Sequence, residues 1–227
     1  MSADLAKLIE SGSLFMGIWD TVWMTLLSSL IGYVVGLPLG VLLYSTDKSG
    51  LKPIPWLNKI LGFIVNIFRS MPFIILMVAM LPVARFIVGT GIGNKAMVVM
   101  LVIASAPYIS RMVESSLKEI DGGVIEAARS MGASDLEIIV KVLLPEAKPS
   151  LVIGAVISTV TVLGYAAMAA TIGGTGLGQI AIVYGHNRHN EDIIWICVLL
   201  TLIIVQVIQE AGMTYAKKTD KRIAQRK

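Results

Sequence analysis

The sequence is poor in charge and in cysteine. Charged residues make up 15% of its 227 positions, whereas about a quarter is usual for a soluble domain. Hydrophobic residues make up 56%, and the mean hydropathy is +0.79. The only cysteine, Cys197, lies in an apolar run, so an intramolecular disulfide is excluded and a packing role is expected. Because apolar runs reach the roughly 20 residues that a membrane helix needs, we predict an all-α polytopic membrane protein.

Motifs for nucleotide, metal and covalent chemistry are also scarce. The stretch Gly173–Gly178 lacks the third glycine of a dinucleotide fingerprint, since Gln179 stands there, and the sequence has no Gly-Lys-Ser/Thr of a P-loop. We therefore expect a flexible external turn there. His186 and His189 have no second ligand cluster beside them, which favours a solvated loop over a metal site. No nucleophile–base pair stands out within the apolar runs, which argues against a membrane enzyme.

Five apolar runs predict five membrane spans within a single domain over 14–215. The N-terminus carries Asp4 and Glu10 where a signal peptide would be basic, and we expect no removed segment. The expected spans cover residues 14–44, 57–84, 93–118, 147–171 and 191–215.

The distribution of Lys and Arg predicts the orientation of these spans. Loops and tail on one side contain 14 of these residues and the other side contains 4, while Arg69 lies within a span. Cytoplasmic loops are the Lys- and Arg-rich ones. We therefore expect residues 1–13 outside, and both the polar segment 121–146 and the basic tail 216–227 in the cytoplasm. The small net charge of +4 lies at span ends and does not indicate nucleic-acid binding.

The polar segment 121–146 is predicted to form two helices separated by a turn. Asp121 suits the N-cap of the first helix, and Gly132 suits its left-handed C-terminal cap. Ser134 and Glu137 have the spacing of a capping box that starts the second helix. The expected apolar stripes at helical spacing are Val124, Ala127, Ala128 and Met131 in the first helix and Leu136, Ile139, Val140 and Leu143 in the second.

The same segment carries a recognisable motif. Glu126-Ala127-Ala128 is followed by Gly132 and, after the family's usual spacing, by Leu144-Pro145. This pattern resembles the coupling motif of permease subunits in ATP-binding-cassette (ABC) importers, with Val142 where that family usually has Ile. The resemblance implies that the segment docks into a groove of an ATPase subunit. The alternative is a surface hairpin that packs only on its own bundle.

Further stretches are similar to methionine importer permeases. They are NIFRSMPFIIL at 66–76, APYISRMVE at 106–114, and GYAAM at 164–168 followed by the glycine-rich stretch. The resemblance implies the type I ABC importer permease fold, methionine as substrate, and alternating access. It also implies a second copy of the chain, two ATPase subunits that bind ATP and Mg, and an external substrate-binding lipoprotein. This chain itself is expected to hold no cofactor.

Two features leave alternatives open. Arg69 is the one full charge near the middle of a span; either the helix starts near it and it reaches the interface, or it belongs to a transport path. Small residues four apart in the first span serve either packing within one chain or a dimer contact; they are Ser28, Gly32, Gly36 and Gly40. The candidate path residues are Arg69, Ser70, Tyr165 and Met168.

Two other functions are also compatible with the sequence. A permease for another amino acid or a small peptide would share every feature of the coupling segment. A self-sufficient secondary transporter would need no partner, but the spans are short of the buried carboxylates that couple ions to transport.

Overall fold

The computed structural model describes the backbone of residues 3–219, with side chains described for 4–168 and 171–219, and the described part is almost entirely helical. The expected tail residues 220–227 lie outside the described residues. In chain order the α-helices are α1 (Ala3–Glu10), α2 (Ser13–Thr46), α3 (Pro55–Ser70), α4 (Phe73–Ala79), α5 (Leu81–Val88), α6 (Asn94–Lys118), α7 (Gly122–Ser130), α8 (Asp135–Glu137), α9 (Leu144–Glu146), α10 (Lys148–Met168), α11 (Leu177–Ile180) and α12 (Glu191–Thr219). Other helical turns are the π-helices Ile138–Leu143 and Ala181–His186 and the 3-10 helix Ala169–Ile172.

Four of these helices are long and apolar enough to cross a membrane, namely α2, α6, α10 and α12. The pair α3 and α4 passes the same test together, with a bend of 107° between them. The bounds of the four long helices agree with the expected first, third, fourth and fifth spans to within a few residues. The all-α membrane fold is therefore confirmed, with four continuous helices of spanning length and one bent pair.

Helices α2 and α6 form the central pair of the bundle and run parallel to each other. Side chains added at Gly32, Gly36 and Gly40 would meet Ser105, Ile109 and Val113 of α6, respectively. Each pairing joins positions separated by the same number of residues, as parallel helices in register require. A Cβ at Gly36 would lie 2.9 Å from the carbonyl oxygen of Ala106, and Ser28 is fully buried. The small residues therefore pack two helices of one chain, and the dimer-contact alternative is wrong.

The expected second span, 57–84, is not one continuous helix. Helix α3 ends at Ser70, where Met71 takes the extended backbone angles φ −80° and ψ 131°. Pro72 causes this break, because it has no amide proton and disfavours helical geometry at the residue before it. The expectation that a helix starts near Arg69 is also wrong, since Arg69 lies exposed in the last turn of α3.

The remaining spans alternate in direction. Because α2 and α6 are parallel, the bent pair α3–α4 has to carry the chain back between them. Helix α10 runs antiparallel to α6, with Ser150 hydrogen-bonded to Ser116 at 2.9 Å. Helix α12 returns along α10, where Lys148 lies over the ring of Tyr215. The segment 121–146 and the end of α12 consequently share one end of the bundle.

Helix α1 and the glycine-rich stretch occupy the opposite end. Asn190, just before α12, donates a 2.8 Å hydrogen bond to Asp4 of α1. The stretch is anchored to α2, because the Leu177 amide donates to Thr21 at 2.9 Å and Thr175 bonds Asp20 at 2.5 Å. These bonds join the stretch to α2 in this conformation, and its flexibility stays a prediction.

Two minor expectations concern single residue types. Cys197 is 3% exposed and packs in a cluster with Leu5, Leu177 and Ile193, which confirms its packing role. His186 and His189 are both exposed in the loop before α12. His189 also adopts a positive φ of 56°, a left-handed conformation that is common in tight surface turns.

Candidate coupling site and transport path

The segment 121–146 forms the expected helix–turn–helix unit, here called the coupling hairpin. Asp121 accepts a hydrogen bond from the Gly123 amide at 2.7 Å and caps α7. Gly132 follows α7 with φ +84°, the left-handed geometry that is easily adopted only by glycine. Ser134 and Glu137 form the predicted capping box of α8. The predicted caps and the predicted turn are thus confirmed.

Charge also stabilises the start of the second helix. The Glu137 carboxylate accepts bonds from the Lys141 ammonium at 2.8 Å and the Ser134 amide at 3.1 Å. The Lys141 hydrogen bond, followed by the Ser134 bonds, lowers the pKa of Glu137 to about 2. The capping carboxylate therefore stays ionised at neutral pH, and an anion at a helix N-terminus is favourable.

Burial divides the hairpin into an inner and an outer face. Ala128 is 4% exposed and packs inside its own chain, together with Ile138 and Leu143. Glu126 and Ala127 are exposed, and Met131 is 82% exposed. Of the motif residues, Ala128 therefore positions the hairpin, whereas Glu126 and Ala127 lie on a face that a partner can reach.

The second half of the hairpin departs from the predicted stripe. Leu136 and Val140 are 69% and 54% exposed, whereas Ile138 and Leu143 are fully buried. The cause is the π-helix Ile138–Leu143, in which the Leu144 amide bonds the Ile139 carbonyl five residues back. This wider turn brings residues five apart onto one face. The expectation that Leu136 and Val140 share one face with Leu143 is therefore wrong. Single π-turns often accompany functional sites.

The last motif residues, Leu144 and Pro145, start the short helix α9. Pro145 lies in its first turn, where a missing amide proton costs little. Leu144 is partly buried and packs against the same cluster as Ala128, while Pro145 is exposed. These two residues therefore join the hairpin to α10.

The hairpin is also tied to the loop between α2 and α3. The Arg129 guanidinium donates a 2.7 Å hydrogen bond to the Leu51 carbonyl and lies 3.5 Å from the Asp135 carboxylate. Leu51 and Tyr44 are buried in the cluster that holds Ala128. Movement of the hairpin would therefore act on the end of α2 and on the start of α3, as well as on α6 and α10.

An ion-pair network lies beside the hairpin at the end of α6. Glu114 is 6% exposed and bonds Arg111 at 2.6 Å and Lys118 at 2.8 Å. Lys118 also pairs with Asp47 at 2.5 Å, and this hydrogen bond is the main cause of the lowered pKa of Asp47. The Arg111 guanidinium donates to the Gly62 carbonyl at 3.2 Å. The network therefore links α6 to the residue after α2 and to the middle of α3.

The structure brings two of the four candidate path residues together. Arg69 and Tyr165 line one cavity of about 110 Å³, whose other lining residues are Phe68, Met71, Phe73, Leu76, Ala104 and Tyr108. The Tyr165 ring stacks on Phe73 with centroids 4.5 Å apart. Ser70 is exposed at the end of α3, and Met168 is 46% exposed at the end of α10. The cavity combines one cation with aromatic and thioether surface.

Sequence reasoning missed several of these residues. Nothing in the local pattern marks Arg129 as the tether to Leu51, because the two are far apart in the chain. Tyr108 and Phe73 join Arg69 only through the break at Pro72. The Glu114–Lys118 pair has the i, i+4 spacing of a helical ion pair, but its extension to Asp47 depends on the fold.

A family model described as "Binding-protein-dependent transport system inner membrane component" matches residues 36–215. The probable D-methionine transport system permease protein MetI of Vibrio cholerae serotype O1 is 44% identical over 214 residues, which cover 94% of this chain and 95% of that one. The D-methionine transport system permease protein MetI of Escherichia coli K12 is 52% identical over 155 residues, or 68% of this chain and 71% of that protein.

Two solved transporter structures are also similar to this chain. A chain of the MetNI methionine ABC transporter, in an inward-facing conformation, superposes with a TM-score of 0.92 at 44% identity. The match covers 97% of this chain and all of that one. An amino acid ABC transporter solved with histidines matches with a TM-score of 0.76 at 19% identity and supports the fold alone.

Proposed function

Because this chain belongs to the family of binding-protein-dependent transport system inner membrane components, we propose that it is the permease subunit of an ATP-driven methionine importer. The chain is a transport subunit, and a separate subunit supplies ATP binding and hydrolysis. The observation that carries the proposal is the coupling hairpin. Its outer face presents Glu126 and Ala127 at the motif positions, while its inner face is fixed to the ends of three spans.

The proposed assembly contains two copies of this chain, two ATPase subunits and an external binding lipoprotein. Dimerisation and ATPase partners are supported by the high similarity to a chain of the MetNI transporter. The exposed outer face of the hairpin supports docking of an ATPase groove. The family description names a binding-protein-dependent system, which supports the proposal of an external binding protein. Surrounding lipid contacts the apolar outer faces of the spans, and ATP and Mg belong to the ATPase.

The proposed orientation places the hairpin in the cytoplasm and the N-terminal helix α1 outside. The relative directions of the spans support this, because hairpin and α1 lie at opposite ends of the bundle. The excess of Lys and Arg lies at the hairpin end. The end of α12 then also faces the cytoplasm, and the proposed domain 14–215 spans the membrane.

The proposed mechanism is alternating access. ATP binding closes the two ATPases, and their docked hairpins move together. Because the inner face of each hairpin packs on α2, α6 and α10, and Arg129 holds the α2–α3 loop, the hairpin displacement reaches these three spans and the start of α3. The bundle then opens outward to receive substrate, and hydrolysis restores the inward-open state. Glu126, Ala127, Ala128 and Gly132 carry the docking and force transmission, with Leu144 and Pro145 joining the hairpin to α10.

The proposed transport path passes the cavity beside Arg69 and Tyr165. A guanidinium matches the carboxylate of an amino acid, and the thioether and aromatic lining suits an apolar side chain. Ser70 and Met168 lie at the two helix ends that flank this region and remain path candidates. The volume of about 110 Å³ fits a partly enclosed substrate better than a peptide.

The test is reconstitution of this chain in liposomes with its ATPase and binding lipoprotein. We expect methionine uptake only when all three proteins and ATP are present, with omission of ATP as the control. Uptake by the purified chain alone would support a secondary transporter and would refute the proposal. Binding assays on the lipoprotein with other amino acids and small peptides distinguish the substrate, and failure to bind methionine would refute that assignment.

A further inference from the structure

An apolar groove lined by α2, α5 and α6 lies at the end of the bundle opposite the coupling hairpin. Its volume is about 460 Å³. The walls consist of the side chains Trp23, Leu27, Ile31, Ile87, Val88, Val98, Val99, Val102 and Ile103, together with Lys95. Lys95 is the one charged residue among these described lining residues. This groove lies away from the coupling hairpin and shares no lining residue with the cavity beside Arg69.

The length of the groove matches one leaflet of a bilayer. Its α2 wall runs from Trp23 to Ile31 and its α6 wall from Lys95 to Ile103, so each wall covers eight residue steps. At the rise of an α-helix this is about 12 Å. Half of a hydrocarbon core of about 30 Å is about 15 Å. The groove thus covers most of one leaflet, so it can hold the greater part of one acyl chain, and it is too short for a complete spanning helix of another subunit.

Positive charge marks the membrane-surface end of the groove. Lys95 is exposed in the first turn of α6 and forms no ion pair within the described residues. No side chain caps the amides of that turn, since Gly93 stands at the N-cap. The uncapped N-terminus of a long helix adds further positive potential. Asp20, the nearby acid on α2, is occupied by the Trp23 indole at 2.9 Å and by Thr175.

We propose that this groove binds one phospholipid with an anionic headgroup, such as phosphatidylglycerol. One acyl chain lies between the valine wall of α6 and the Trp23–Ile31 wall of α2, and Lys95 holds the phosphate. The Trp23 ring lies at the level of the headgroups, where tryptophan is enriched in membrane proteins. The bound lipid would cover the half of the α2–α6 pair that lies away from the coupling hairpin. This site is independent of the transported substrate.

The test counts lipids retained on the assembled transporter by native mass spectrometry, after delipidation and exposure to phosphatidylglycerol or phosphatidylethanolamine. We expect one phosphatidylglycerol retained per permease chain, and weaker retention of phosphatidylethanolamine. Lys95→Gln should reduce phosphatidylglycerol retention about fivefold, as expected for one lysine near the surface. Lys52→Gln, which removes an exposed charge from the α2–α3 loop, is the matched control and should leave retention unchanged.

A second pair of variants tests the apolar part of the groove. Val99→Trp should fill the groove and abolish retention of both lipids, whereas Val34→Trp, at an exposed position of α2 outside the groove, should not. If Val99→Trp fails to assemble, Ile31→Trp fills the opposite wall. Equal retention of the two lipids by the parent, or full retention by the groove-filled variant, would overturn the proposal.

A second copy of the chain, instead of a lipid, could also fill the groove, and a cross-linking experiment distinguishes the two. Val99→Cys in a Cys197→Ser background places the one thiol in the groove. We expect no disulfide between the two permease chains of the assembled transporter. An oxidised cross-link between two copies at this position would mean that protein covers the groove, and it would overturn the lipid assignment.

Discussion

The turn at Gly132 is the point at which the geometry of the coupling hairpin can be tested most sharply. Gly132 holds φ +84°, and this left-handed conformation costs other L-residues about 1–2 kcal/mol. A Cβ at this position would meet nothing within 4 Å. The penalty of a substitution therefore comes from the backbone alone, and it should be larger for Leu than for Asn, which tolerates the conformation.

The expected effect is a loss of coupling without loss of fold. The hairpin is anchored by Ile138 and Leu143, both fully buried, and each such burial contributes about 1.5–3 kcal/mol. This exceeds the penalty at Gly132, so the Leu variant should stay folded with a rearranged turn. A change of 1–2 kcal/mol corresponds to a factor of about 5–30 in an equilibrium. We expect methionine uptake by Gly132→Leu to fall by about that factor, with Gly132→Asn between it and the parent.

The assay is ATP-dependent methionine uptake in proteoliposomes that contain the assembled transporter. Gly122→Ala is the matched control, because it lies in the same hairpin, has no positive φ, and also offers its Cβ open space. It should transport at the parental rate. Parental uptake by Gly132→Leu would refute the role of this turn in force transmission. A comparable loss in Gly122→Ala would refute the backbone explanation.

Three further substitutions test the docking face, the tether and the central helix pair. Glu126→Lys should weaken ATPase docking, seen as reduced co-purification relative to Glu10→Lys at the other end of the bundle; unchanged co-purification and unchanged coupled hydrolysis would contradict this. Arg129→Ala removes the hydrogen bond to the Leu51 carbonyl, which contributes about 1 kcal/mol. The ATPase should still dock, but fewer methionine molecules should be transported per ATP hydrolysed. An unchanged ratio of methionine to ATP would contradict the role of Arg129 in holding the α2–α3 loop. Gly36→Leu overpacks the α2–α6 contact, which should destabilise the fold by about 1–3 kcal/mol and reduce the yield of folded protein. Gly164→Leu is the control, because a Cβ at Gly164 meets open space. Equal yields of the two variants would contradict the packing of α2 on α6.

Local signals in the sequence predicted much of the fold and of the hairpin. The caps at Asp121 and Ser134 and the turn at Gly132 each depend on neighbours within a few residues, and all three are confirmed. The long apolar runs predicted four spans closely, because hydrophobic length alone determines which helices can cross a bilayer. The choice between packing and dimerisation for the Gly32–Gly40 stripe needed the structure, since small residues suit either contact.

The errors have identifiable physical causes. The run 57–84 is apolar throughout its second half, and hydropathy conceals the break that Pro72 imposes on Met71. The π-helix Ile138–Leu143 shifts the inner face by one residue per turn, which a period of 3.6 residues cannot anticipate. Arg129 and Leu51 meet only because the α2–α3 loop folds beneath the hairpin, so their contact has no signal in the local sequence.

The central claim is that the outer face of the coupling hairpin contacts a separate ATPase on the cytoplasmic side. It is tested most directly by Ser130→Cys in a Cys197→Ser background, since Ser130 is exposed beside Glu126 on α7. A thiol cross-linker applied to the assembled transporter should join this cysteine to the ATPase subunit, and an impermeant thiol reagent added to intact cells should not reach it. Labelling from outside the cell, without any cross-link to the ATPase, would contradict the account.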